Sequence, residues 1–202
     1  MKLKTLVKVG NISNLTDARY SAGMGVDMIG FSLDEDDPAY LTIDEINAIT
    51  GWISGVKLVG ETKEFNIEKI NFLIKELNLD YIQLNGSFNF DKYAQINKPV
   101  IQKVLVLDSY VLHLYLNKVA YMLFESVDPN FNIMKVREQL KAFSTIYPII
   151  VGSGLNHENV NFILEECHIK GIALKGSMED RPGSKDYDDL ADILEVIQDE
   201  TF

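Results

Sequence analysis

The chain has 202 residues, 47% hydrophobic and 24% charged, enough for one globular unit with a sizeable core. Its formal charge of −11, from 19 basic and 30 acidic residues, speaks against a nucleic-acid binder, which needs a basic stripe, but leaves room for one local basic pocket. With Cys167 as the one cysteine, neither an intrachain disulfide nor a cysteine metal cluster can form. The segment behind Met1 lacks the apolar stretch of a signal peptide, and no apolar run nears the ~18 residues of a membrane span. A cytoplasmic protein without membrane association is therefore expected.

In chain order, short apolar runs alternate with amphipathic stretches. Residues 6–9, 28–31, 56–59, 81–84, 100–104, 121–124, 148–151 and 171–174 read as eight strands. They are continuous rather than alternating, as expected when both faces of a parallel sheet are covered. The acidic run Asp34-Glu35-Asp36-Asp37 after the second reads as a solvated loop. Thr42-Ile43-Asp44-Glu45 has the form of a capping box, and Asn156 and Asp186 suit helix N-caps. Ile67, Ile70, Leu73, Ile74 and Leu77 make one helical stripe, and Leu190, Ile193, Leu194 and Ile197 another. Eight strand–helix units in this length predict an α/β fold, a single (β/α)8 TIM barrel over residues 1–202, with a doubly wound open sheet as the alternative.

In such a barrel the site lies in the loops after the strands. After the seventh comes Gly152-Ser153-Gly154-Leu155-Asn156, and after the eighth Lys175-Gly176-Ser177-Met178. Small residues let backbone N–H groups approach an anion, and a following helix start favours negative charge. Ser153, Gly154, Gly176 and Ser177 are thus candidate phosphate-binding residues, with Lys175 as an added charge; tight turns are the alternative reading. His157, beside this loop, is a candidate ligand contact. His113 and His168 fall in or after helices, and Cys167 and Trp52 read as packing residues.

A family resemblance spans nearly the whole chain. Lys8-Val9-Gly10-Asn11-Ile12-Ser13-Asn14, with Asp17-Ala18, resembles the Lys-Ile-Cys-Gly-Ile-Thr-Asn-x-x-Asp-Ala opening of phosphoribosylanthranilate isomerases. Gln83-Leu84-Asn85-Gly86 is similar to the family's Gln-Leu-His-Gly, and Gly154-Leu155-Asn156 with Glu158-Asn159-Val160 to its Gly-Leu-Asn-Pro-Glu-Asn-Val. Glu179-Asp180-Arg181-Pro182-Gly183-Ser184-Lys185-Asp186 resembles its Glu-x-x-Pro-Gly-x-Lys-Asp. The resemblance implies a cofactor-free, metal-free Amadori rearrangement of N-(5′-phosphoribosyl)anthranilate in tryptophan biosynthesis. It assigns a cysteine after strand one as general base at the sugar C2 and an aspartate after strand six as general acid at the ring oxygen.

The departures concentrate at those positions. Gly10 stands where the resemblance places the cysteine, Asn11 where it places a glycine, and Asn85 where it places the histidine. Glu125 falls on the acid position, and Asp37-Pro38-Ala39 replaces a Ser-Pro-Arg that would hold the anthranilate carboxylate. Val127-Asp128-Pro129-Asn130-Phe131 replaces a glycine-rich loop after strand six. Losing a general base typically forfeits about 10²–10⁴ in rate, and no residue near strand one stands out as its replacement. Asp17 reads as part of the first helix. The expected site is thus Glu125 as catalytic acid, with Asn11 and Asn85 as substrate-binding residues. The expected partner is a phosphorylated small molecule. Three functions follow: an isomerase of this family, an inactive or repurposed member binding a phosphorylated ligand or a protein, or another phosphosugar isomerase or lyase. The oligomeric state stays open.

Overall fold

The computed structural model describes residues 2–86, 90–175, 179–181, 184–185 and 187–199. Eight parallel strands close in sequence order: β1 Leu6–Gly10, β2 Met28–Ser32, β3 Lys57–Thr62, β4 Tyr81–Leu84, β5 Val100–Val104, β6 Tyr121–Phe124, β7 Ile149–Val151 and β8 Gly171–Lys175. Closure is made by β1 and β8, paired from Leu6↔Gly171 to Gly10↔Lys175, which excludes the open sheet. A short antiparallel pair, β9 Glu179–Arg181 and β10 Ser184–Lys185, follows the barrel.

The helices outside are α1 Leu15–Gly23, α2 Ile43–Thr50, α3 Ile67–Glu76, α4 Ser109–Tyr115, α5 Arg137–Ser144, α6 Val160–Cys167 and α7 Asp188–Val196. Between β4 and β5 the described residues hold a 3₁₀ segment, Phe90–Gln95, in place of an α-helix. Successive strand side chains point to opposite faces. Val7, Val9, Ile29, Phe31, Ile82 and Leu84 therefore pack outward against the helices, with Ile70, Ile74 and Leu77 of the α3 stripe and Leu190, Ile193, Leu194 and Ile197 near α7. Met28, Val59, Ile101, Leu123, Ile150 and Ala173 fill the barrel axis as a second apolar cluster. Two apolar faces explain why the strands read as continuous runs.

Four strands, β1, β2, β3 and β8, overrun those runs at their C-terminal ends. β3 reaches Thr62 and β8 reaches Lys175, because the backbone ladder continues where the side chains turn polar. β7 starts at Ile149 rather than Pro148, which has no N–H to donate. Of the expected N-caps, Asn156 is displaced: Asn159 occupies the cap of α6, and Asn156 Oδ1 accepts from the N–H groups of Glu158 and Asn159 one turn earlier. Asp186 lies outside the described residues. Asp34 does more than the solvated-loop reading allows, since its carboxylate accepts from Thr62 Oγ1 at 2.6 Å and from the Lys63 N–H, clamping the end of β3. Trp52 is not a packing residue. It follows α2 as the chain turns outward, is 69% exposed, and carries the Arg19 guanidinium 5.7 Å from its ring centre.

Thr42 completes the capping box on α2: its hydroxyl accepts from the Glu45 N–H while Glu45 Oε2 accepts from the Thr42 N–H at 2.8 Å. Thr42→Ala is expected to lower stability by about 1 kcal/mol, read as a shift of the urea midpoint at unchanged slope.

Candidate functional site

The alternation that builds the apolar axis places a different set of side chains at its C-terminal end. Two positions beyond Val59, Ile101, Leu123 and Ala173 stand Glu61, Lys103, Glu125 and Lys175. Lys8 and Gln83 face the same space from β1 and β4. The mouth of a chain of net charge −11 thus gathers three lysines around two glutamates.

Glu125, just past β6, is 7% exposed. Its Oε2 lies 2.6 Å from Lys103 Nζ and 3.2 Å from Lys175 Nζ. Burial pushes the Glu125 pKa up, but the hydrogen bonds and charges of Lys103 and Lys175 together outweigh it and leave the carboxyl below its ordinary value. The group is therefore an ionised carboxylate at neutral pH, bound by the side chains of Lys103 and Lys175. Gly152 makes room for it: a Cβ there would lie 2.9 Å from Glu125 Cγ.

A second ion pair lies at β1 and β3. Lys8 Nζ donates to Glu61 Oε1 at 2.5 Å, with the residues 2% and 6% exposed. Gln83, opposite Glu61 in the β3–β4 register, donates through Nε2 to Asn85 Oδ1 at 2.7 Å. Its own Oε1 is buried without a hydrogen-bond partner. A buried unmet acceptor costs free energy, and here it is available to a hydroxyl or N–H brought in by a ligand.

The expected contacts distribute unevenly. Asn85 stands at the rim through the Gln83 bond and through its N–H, which donates to Thr62 O. Asn11 follows β1 at φ 56°, a conformation asparagine tolerates best after glycine, which accounts for its standing at a glycine position. Ser153 Oγ accepts from the Ser126 N–H at 3.0 Å, tying the β7 loop to the β6 loop. Gly154 adopts φ 77°, and its carbonyl accepts from Asn159 Nδ2. Beside it a depression of about 490 Å³ is lined by Phe131, Met134, Gly154 and Asn156 among others. Gly176 and Ser177 lie outside the described residues. Lys175 Nζ is directed to Glu125.

The remaining candidates are elsewhere. His157 precedes α6 and faces Asp192 at 3.9 Å, both side chains about half exposed. Cys167 is buried at the end of α6, where burial pushes its thiol up. Asp17 is buried in α1 and accepts the Tyr187 hydroxyl, joining α1 to the start of α7. Among the described residues no cluster of three metal-ligating side chains occurs, and no helix is long and apolar enough to cross a membrane.

Sequence reasoning missed Lys8, Glu61, Gln83 and Lys103. The signal was a charged or amide residue two positions beyond an inward-facing apolar or aromatic one, as with Leu6 and Lys8, Val59 and Glu61, Tyr81 and Gln83, and Ile101 and Lys103. Reading the strands as uniformly apolar concealed it.

A closed parallel barrel whose charged mouth is assembled from strand ends defines a (β/α)8-barrel protein with its candidate site at the C-terminal rim. Residues 12–196 match the family model of N-(5′-phosphoribosyl)anthranilate isomerase. The chain belongs to that family. A relative from Microcystis aeruginosa, an N-(5′-phosphoribosyl)anthranilate isomerase, is 26% identical over 205 residues, covering 95% of this chain and 97% of its own. The phosphoribosylanthranilate isomerase structure from Thermotoga maritima superposes with a TM-score of 0.82 at 22% identity, over 96% of this chain and 98% of that one. That from Thermus thermophilus gives 0.79 at 20% identity, over 95% and 98%. These structures share the fold.

Proposed function

We propose that this chain catalyses the isomerisation of N-(5′-phosphoribosyl)anthranilate to its ketose isomer, without metal or organic cofactor, as a cytoplasmic step of tryptophan biosynthesis. The observation that carries this reading is the Glu125–Lys103–Lys175 cluster at the C-terminal mouth. In the rearrangement the ring oxygen takes a proton as the C1–O bond breaks, and the nitrogen lone pair forms the C=N bond. Glu125 holds two ammonium groups at that spot, so the proton comes from the cluster and the carboxylate orients its donor.

The excess of lysines suits a substrate carrying a phosphate and a carboxylate. Ser153 and Gly154 are proposed to hold the phosphate, with Gly176 and Ser177 as further candidates on sequence grounds alone. Asn11 and Asn85 are proposed to contact the sugar, with Gln83 Oε1 accepting one of its hydroxyls. Purified protein is expected to convert the substrate, and the gene to restore tryptophan-independent growth to a bacterial strain lacking this isomerase. A well-folded preparation that does neither would overturn the reading.

A further inference from the structure

Three buried carboxylates occur among the described residues: Asp17, Glu61 and Glu125. Asp17 belongs to a helix and is engaged by Tyr187. Glu61 and Glu125 face the barrel mouth, and proton transfer to and from a sugar needs two groups there. The position of Glu61 is set by two glycines. A Cβ on Gly10 would lie 2.8 Å from Glu61 Oε1 and 3.1 Å from Lys8 Nζ; a Cβ on Gly30 would lie 1.9 Å from the same Oε1. The carboxylate from β3 therefore occupies the space directly over residue 10, where a side chain on β1 would otherwise project.

Gly10 also pairs with Lys175, which reaches Glu125, so the two carboxylate–lysine clusters adjoin through one backbone pair. Lys8 fixes Glu61 from below. Gln83, the β4 neighbour of Glu61, adds the unmet buried acceptor that a substrate hydroxyl would satisfy.

We infer that Glu61 is the base of this barrel, removing the carbon-bound proton of the substrate in place of a side chain on β1. The inference rests on the isomerase reading above. After ring opening, a Glu61 oxygen takes the proton from C2. The C–H electron pair becomes the C1=C2 bond, and the C=N π pair returns to nitrogen. The enol then gives up its O–H proton to solvent as C1 is protonated by the Glu61 carboxyl. The sum is an isomerisation with no oxidant or reductant.

The test compares the native chain, Glu61→Gln, Glu61→Ala, and Glu61→Ala combined with Gly10→Cys, on N-(5′-phosphoribosyl)anthranilate. Circular dichroism and thermal melting verify folding of each. Glu61→Gln is expected to lower kcat by about 10²–10⁴ with KM within a few-fold. The double variant is expected to regain at least about tenfold over Glu61→Ala, because removing the carboxylate opens the space for a thiolate base at residue 10. That recovered activity, unlike the native activity, is expected to be abolished by a thiol-alkylating reagent, since Cys167 is buried. Turnover by the native chain that persists in folded Glu61→Gln overturns the assignment of Glu61 alone. Activity that rises in Glu61→Ala also overturns it, showing the carboxylate to be a plug. No turnover by the native chain overturns the isomerase reading and the role of Glu61 with it.

Discussion

Glu125→Gln is expected to lower kcat for the proposed isomerisation by about 10²-fold, the scale of loss when a proton donor is displaced by about 1 Å. The amide keeps the shape but not the charge. Lys103 and Lys175 would then face each other across a neutral group, and the proposed proton donor would lose its anchor. Steady-state kinetics of the folded variant check this; turnover within a few-fold of native would remove Glu125 from the mechanism.

The same substitution has a pH signature in stability. The folded pKa of Glu125 lies below its ordinary carboxylate value, because Lys103 and Lys175 outweigh the effect of burial. Its contribution to stability is therefore fully present above the unfolded-state pKa and is lost as pH falls through the folded-state value. Urea unfolding of native protein and Glu125→Gln should show the native advantage at pH 7 shrinking toward pH 3. A difference that does not change over that range would mean that the ion pairs contribute nothing net.

Lys8→Met is expected to destabilise the barrel by about 3–5 kcal/mol, since removing one partner of a buried pair leaves the other charge uncompensated. The pair qualifies because both side chains are almost wholly buried at 2.5 Å separation. That loss is a large part of the roughly 5–15 kcal/mol that holds a domain folded. Adding Glu61→Leu should recover most of it, since an apolar pair of similar volume is often neutral or stabilising there. Urea midpoints of the two variants decide it. A single variant as stable as native would show that Glu61 is solvated well enough to stand alone. The surface pair Lys63–Asp36, with both side chains more than half exposed, is a contrast, where the expected effect is within about 1 kcal/mol.

The barrel was legible because its signals are local. Runs such as Tyr81-Ile82-Gln83-Leu84, the α3 stripe and the Thr42 capping box depend on residues a few positions apart, and each appears where its pattern places it. Glu125 was reached through the family resemblance, and the structure places it buried just past β6. Trp52 was misread because apolarity alone does not say which way a side chain points after a helix ends; the turn at Gly51 sends it outward.

What the chain by itself determined is the eight-fold alternation, family membership and the absence of a cysteine at residue 10. What only the tertiary structure decided is how that absence is filled. Lys8 and Glu61 are 53 residues apart, and Lys175 and Glu125 are 50 apart. Only closure of the sheet, with its fixed register and in-out alternation, brings such side chains to one mouth. A missing side chain on β1 can therefore be matched by a present one on β3, because the barrel interior is a shared volume, and spacing along the chain says nothing about who occupies it.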